Sequence, residues 1–161
     1  MNRFYYSNEC EDVSGFESGY AVFDRHLHEH DDVDVIHYVL DAETDELVAY
    51  FSLLASALPY VVDGTMGGIP AVELKMFAIA KKYQGAGLAA SIFDEVLDAI
   101  GIMTLEYIGA EYILLYSVPV EHVMGLYIKK GFRKAAGTFT TFESDFTQGC
   151  IPMYKELGAA Q

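Results

Sequence analysis

The chain has 161 residues, 52% hydrophobic and 21% charged, with a formal net charge of −14. That length and balance suit one soluble domain with its own core, and no apolar run reaches the ~18 residues of a membrane span. The acidity argues against nucleic acid and anionic membranes as partners, because both are bound by neutralising phosphate.

The N-terminus, Met1-Asn2-Arg3-Phe4-Tyr5-Tyr6-Ser7-Asn8-Glu9, meets acid too early for a secretory signal, and Cys10 and Cys150 have no metal-ligand spacing. We therefore expect two free thiols and a cytoplasmic location. Charge is unevenly placed. Residues 1–63 hold fourteen acids against Arg3 and Arg25, and the bases of the remainder gather at Lys81-Lys82 and at Lys129-Lys130 with Arg133-Lys134.

In chain order, Phe16, Tyr20, Phe23 and Leu27 recur at helical spacing and predict a helix over residues 16–30. A polar loop, residues 28–34, follows. Val35 to Leu40 reads as a strand, residues 42–46 as a turn, and Leu47 to Val62 as a long strand, so residues 35–62 make a hairpin. The Gly and Pro content of residues 63–70 predicts a loop. A strand from Ala71 to Ala80 comes next, then a helix carrying Leu88, Ile92, Val96, Ile100 and Met103 on one face to about Ile108. Tyr112 to Val118 is a buried strand stopped by Pro119. Val120 to Lys130 is a short helix closed by Gly131, and two strands follow near 132–141 and 151–154. The pattern is one mixed α/β domain.

Between a strand and a long helix lies Gln84-Gly85-Ala86-Gly87-Leu88-Ala89-Ala90. Glycines there let the main chain approach a ligand, and the helix start offers unpaired N–H groups with the positive end of the dipole. That combination holds a pyrophosphate. The segment also satisfies a Gly-x-Gly-x-x-Ala dinucleotide pattern. In that fold, however, the first glycine follows its strand directly, whereas Lys81 to Gln84 intervene here. The acid that pattern requires would be Glu111, which precedes the next strand instead of ending it.

The run from Phe77 to Ala89 resembles the acetyl-CoA motif of the GNAT N-acetyltransferase superfamily, Gln/Arg-x-x-Gly-x-Gly/Ala, with Gln84, Gly87 and Ala89 at its defining positions. Leu126-Tyr127-Ile128-Lys129-Lys130-Gly131-Phe132 resembles that family's second hallmark, Leu-Tyr-x-x-x-Gly-Phe. Residues 16–27 are more loosely similar to the first helix of members that acetylate aminoacyl-tRNA as toxins. The resemblance implies the GNAT fold, a mostly antiparallel central sheet flanked by helices, covering the chain from about residue 14.

It further implies a role for each matched residue. Pantetheine would lie along Phe77, Ala78 and Ile79, a main-chain N–H near Phe77 or Ala78 would face the oxyanion, and Gln84, Gly85, Ala86, Gly87, Leu88, Ala89 and Ala90 would hold the diphosphate. Tyr127 would protonate the departing thiolate. Glu73, in the register of the catalytic glutamate of histone-acetylating relatives, is the candidate base. Lys75 on the same strand face leaves a structural ion pair open, and Glu121 and His122 are weaker alternatives. The family often has Asn seven residues before the tyrosine, where this chain has Val120.

Acetyl-CoA is thus the expected cosubstrate, without a metal. His26, His28 and His30 invite a metal reading, but only two of them share a helix face, and we expect surface roles. The acidic first half suits a small amine or a peptide amine as acceptor. Acetylation of aminoacyl-tRNA and a non-catalytic acyl-CoA binder are the alternatives. Homodimers are common in the family, but nothing in the sequence identifies an interface.

Overall fold

Period-two patterning resolves into strands and period-3.6 patterning into helices in the computed structural model, which describes residues 3–30, 33–135 and 149–158. The elements are β1 (Phe4–Ser7), α1 (Ala21–Glu29), β2 (Val35–Asp41), β3 (Leu47–Val62), β4 (Thr65–Ile79), α2 (Leu88–Glu106), β5 (Tyr112–Ser117), α3 (Glu121–Lys129), β6 (Arg133–Lys134) and β7 (Ile151–Glu156). All seven strands share one sheet in the order β1-β2-β3-β4-β5-β7-β6. The pairs β1–β2, β2–β3, β5–β7 and β6–β7 are antiparallel. β5 lies beside β4 in the sheet, and Glu111, the residue before β5, donates its N–H to the Pro70 carbonyl.

β3 has the span its sequence predicts, but residues 63–70 are not a loop. Only Asp63 and Gly64 turn, with φ of +49° and +75°, the tight hairpin geometry that favours Asp-Gly. Gly67, Gly68 and Pro70 belong to β4. Gly67 is small for a packing reason, since a Cβ there would run into the Tyr60 ring. The glycines marked a crowded strand face rather than a turn.

The first helix is shorter than its apolar spacing suggests. Gly19, at φ +89°, breaks the chain before Ala21, and Asp24 accepts the Ser18 N–H at 2.9 Å. Phe16 is buried without being helical. The short strand β1 carries half-exposed Tyr5 and Tyr6 and gave no alternation to read. α2 stops at Glu106, where Tyr107 and Ile108 N–H both turn back to the Met103 carbonyl. Of the strand expected near 132–141, β6 is the described part. Residues 136–141 of that expectation lie outside the described residues, as do residues 31 and 32 of the predicted polar loop.

Two compact units can be distinguished, residues 1–54 with 74–91 and residues 55–73 with 92–161. The core of the first gathers Phe16, Leu27, Ile36, Tyr50, Met76, Ala78 and Ala80. In the second, Leu58, Ala71 and Leu114 pack with Tyr112, Tyr116 and Tyr154. Ile92, Phe93, Val96 and Ile100 form the buried stripe of α2.

Candidate active site

In the first unit, β4 ends at Phe77, Ala78 and Ile79, the first half-buried and the other two buried. Ala80 N–H then donates to the Val48 carbonyl at 2.8 Å, and a single 3₁₀ turn, Lys81–Tyr83, swings the chain away from the sheet. The Gln84 side-chain amide donates to the carbonyls of Ser18 (2.7 Å) and Ile79 (2.8 Å). Its N–H groups therefore anchor the turn to the protein itself, which fixes where the following glycines begin.

Gly85 and Gly87 adopt φ of +85° and +72°, a region that disfavours side chains, and a Cβ on either would meet nothing within 4 Å. No described main-chain carbonyl accepts the N–H of Gly85, Ala86 or Gly87. Leu88, Ala89 and Ala90 form the first turn of α2, whose N–H groups have no carbonyl one turn earlier to bond. The result is an open nest of donors backed by a helix dipole, a shape that fits a diphosphate.

The two flanking lysines contribute less positive charge than the sequence suggests. Lys81 lies 3.7 Å from Glu17, and Lys82 pairs with Glu46, which also accepts from Tyr83. Attraction for an anion rests chiefly on the main chain.

The first unit also buries a charged cluster that sequence reasoning missed. Asp34 Oδ2 accepts from both His26 Nε2 and Lys75 Nζ, each at 2.8 Å. His26 is 1% exposed and lies flat against the Tyr50 ring, so the surface role expected for it is overturned. Helical spacing placed His26 beside His30, but α1 buries His26 together with Leu27 and leaves His30 exposed. Lys75 on β4 reaches Asp34. Burial lowers the His26 pKa against the pull of Asp34. Burial alone would raise the Asp34 carboxyl, but hydrogen bonds from Lys75 and His26 outweigh it and hold the carboxyl low. The only sequence signal was the last acid of an acidic run, placed directly before a strand.

In the second unit, Tyr127 sits on α3, 8% exposed, its ring 5.2 Å from Phe93 and 6.1 Å from Phe132. Gly131, at φ +91°, ends the helix, and Phe132 N–H returns to the Tyr127 carbonyl at 3.0 Å. The Leu-Tyr-x-x-x-Gly-Phe spacing thereby becomes a local lock, with glycine reversing the chain so that Phe132 packs on the tyrosine. Burial pushes the Tyr127 pKa up to about 12.

Glu73 is half-buried on β4. Its charge adds to burial in raising the pKa of Tyr116. Glu121 and His122 are exposed in the first turn of α3. Val120 precedes them as a cap residue without a side-chain bond, as its apolar side chain dictates.

Comparison with solved structures is decisive for the fold. A bacterial toxin superposes with a TM-score of 0.75 at 18% identity, over 96% of this chain and 90% of its own. A tyrosine-to-phenylalanine mutant of the toxin KacT gives 0.71 at 15%, over 97% and 96%. The toxin AtaT complexed with acetyl-methionyl-tRNAfMet gives 0.70 at 14%, over 95% and 94%. The chain has the GNAT fold.

No protein-family profile and no curated protein matches the sequence. Within the GNAT fold the matched residues fall into two sets. Phe77 to Ala90 form a continuous strand–turn–helix segment in the first unit, and from Ile92 onward that helix belongs to the second. Glu73 and Tyr127 lie in the second unit. Among the described residues no helix is long and apolar enough to cross a membrane. The expectation that excluded nucleic acid is at odds with these neighbours, which include AtaT with tRNA and a KacTA–DNA complex.

Proposed function

We propose that this protein is an acetyl-CoA-dependent N-acetyltransferase. The N–H groups of residues 85–90 hold the cosubstrate's diphosphate, and the main chain of Phe77 to Ile79 aligns its pantetheine. The acceptor amine, deprotonated through Glu73 or water, attacks the thioester carbonyl, the carbon–sulfur bond breaks, the thiolate takes a proton from Tyr127, and the nitrogen, cationic once bonded, releases its extra proton by the same route. The single observation that carries this reading is the open nest at Gly85 and Gly87, at the start of a long helix. Structures of AtaT with acetyl-CoA support it.

Tyr127 is suited to donation because burial keeps it protonated. Against a thiol near ~8.5, a phenol at about 12 gives up its proton uphill by about 5 kcal/mol. The hydrogen bond therefore forms early and transfer coincides with departure of the sulfur.

For the acceptor, an α-amine is the easier substrate. An alkylamine of pKa ~10.4 at pH 7 costs roughly 4.6 kcal/mol to deprotonate, an α-amine near ~7.9 only about 1.2 kcal/mol. The aminoacyl end of a charged tRNA carries an α-amine, and AtaT is solved with acetyl-methionyl-tRNAfMet. Exposed Lys129, Arg133 and Lys134 offer phosphate contacts in an otherwise acidic chain. Aminoacyl-tRNA is therefore our preferred acceptor, with a small or peptide amine second.

The test is acetyl-CoA turnover with charged tRNA, N-terminal peptides and small amines, with Tyr127→Phe in parallel. We expect turnover with charged tRNA, falling steeply with salt. Tyr127→Phe should lower kcat by about 10²–10⁴-fold while acetyl-CoA still raises its melting temperature. Turnover of free amines alone would overturn the tRNA assignment. Absence of any acetyl-CoA binding would overturn the enzyme.

A further inference from the structure

Three tyrosines of the second unit gather on one face of the sheet beside Glu73. Tyr112, Leu114 and Tyr116 alternate along β5 and so point to the same side. Strand register sets Tyr154 of β7 opposite Leu114, and residues opposite one another across an antiparallel pair share a face. The Tyr112 and Tyr154 rings meet edge to face, their centroids 5.7 Å apart. Leu58, Ala71 and Leu114 make a buried aliphatic floor against which all three tyrosines pack. Ala71 carries that face onto β4, where alternation adds Glu73 two residues on. The charge of Glu73 reaches the Tyr116 phenol and adds to burial in raising its pKa.

The three rings are half-buried, so aromatic surface stays in contact with water beside a carboxylate. We propose that this surface receives the side chain of the acceptor amino acid and selects apolar aminoacyl groups. The inference rests on the proposed function, in which Glu73 relieves the attacking amine of its proton. Connectivity then fixes what lies beside that nitrogen. The amino-acid side chain branches from the carbon bonded to it, whereas the terminal base of a charged tRNA is set apart by an ester and a ribose. Tyr116 is the ring beside Glu73, so the side chain, and not the base, meets the tyrosines. Aromatic rings over an aliphatic floor favour apolar area. Glu73, with Glu156 opposite Tyr112, makes the charge of this face in the second unit acidic. That charge attracts an α-ammonium and repels an acidic side chain.

One tRNA body charged in turn with methionine, leucine, glycine and aspartate separates the side chain from the tRNA. The kcat/KM for acetylation should be roughly 10–100-fold higher with methionine or leucine than with glycine, and lowest with aspartate. Tyr116→Ala and Tyr112→Ala should each cut the methionine-to-glycine ratio at least fivefold. Tyr116→Leu, a milder change should the alanine variant not fold, should also lower that ratio. Tyr107→Ala, just past the end of α2, should leave it unchanged.

Equal rates for the four amino acids, or a ratio indifferent to Tyr116 and Tyr112, would overturn the inference. A uniform loss with all four would assign the rings to the terminal base and overturn it as well. If no charged tRNA were acetylated, the proposed acceptor would fall instead. Calorimetry of the CoA complex with methioninamide, leucinamide and glycinamide would then decide: tighter binding of the first two supports the apolar surface, and equal binding overturns it.

Discussion

The two units solve the problem of buried polarity in opposite ways. The first encloses charge: Asp34 is shared between His26 and Lys75, and its Oδ1 is buried without a hydrogen-bond partner. The second encloses aromatic rings around a single phenol, with Phe93 and Phe132 about Tyr127. A buried ion cluster is stable only as a complete set, because removing one member strands the others. An aromatic cluster loses area in proportion to what is removed. The first unit should therefore be brittle to single substitutions and to acid, and the second graded.

The largest difference is expected between Asp34→Ala and Phe93→Leu. Asp34→Ala removes the carboxylate that His26 and Lys75 share and should cost about 3–5 kcal/mol, lowering Tm by roughly 10 °C. Phe93→Leu keeps an apolar side chain and should cost about half as much or less. Equal losses in thermal melts would erase the contrast.

A smaller effect sharpens the role of the glycine turn. Gly87→Ala has open space for its methyl but must hold φ near +72°. That strain is about 1–2 kcal/mol and is relieved by moving the N–H groups. Calorimetry should show acetyl-CoA binding weakened about tenfold with little change in Tm. Unchanged binding would mean that the turn does not contact the cosubstrate.

The smallest effect is in pH. Burial lowers the pKa of His26 and His37, so the unfolded chain takes up their protons first as pH falls. Their contribution is complete above about pH 6.5 and is lost below it. Asp34, also held low, erodes stability only as pH falls below the ordinary carboxylate range near ~3.9. Chemical denaturation at pH 7.5 and 5.5 should show the loss at the lower pH, reduced in His26→Leu by that residue's share. A stability that rises towards pH 5.5 would reverse the assigned sign.

Legibility in the sequence followed the range of the interactions. Leu47 to Val62 was read to the residue because a long β-branched and aromatic run has one reading. The Asp63-Gly64 turn was hidden by three further Gly and Pro positions, and the cause of one of them, the Tyr60 ring over Gly67, lies across the hairpin. The Gly85 and Gly87 turn and the Tyr127–Phe132 lock were visible because each closes within a few residues. The His26–Asp34–Lys75 cluster was not, since Lys75 and Asp34 are 41 positions apart.

Left-handed glycines, helix starts and strand alternation are consequences of local sterics, and the sequence by itself determined them. Only the tertiary structure decided which polar groups would be buried. Desolvation depends on everything packed around a group, and a histidine at helical spacing carries no mark of whether its ring meets water or Tyr50.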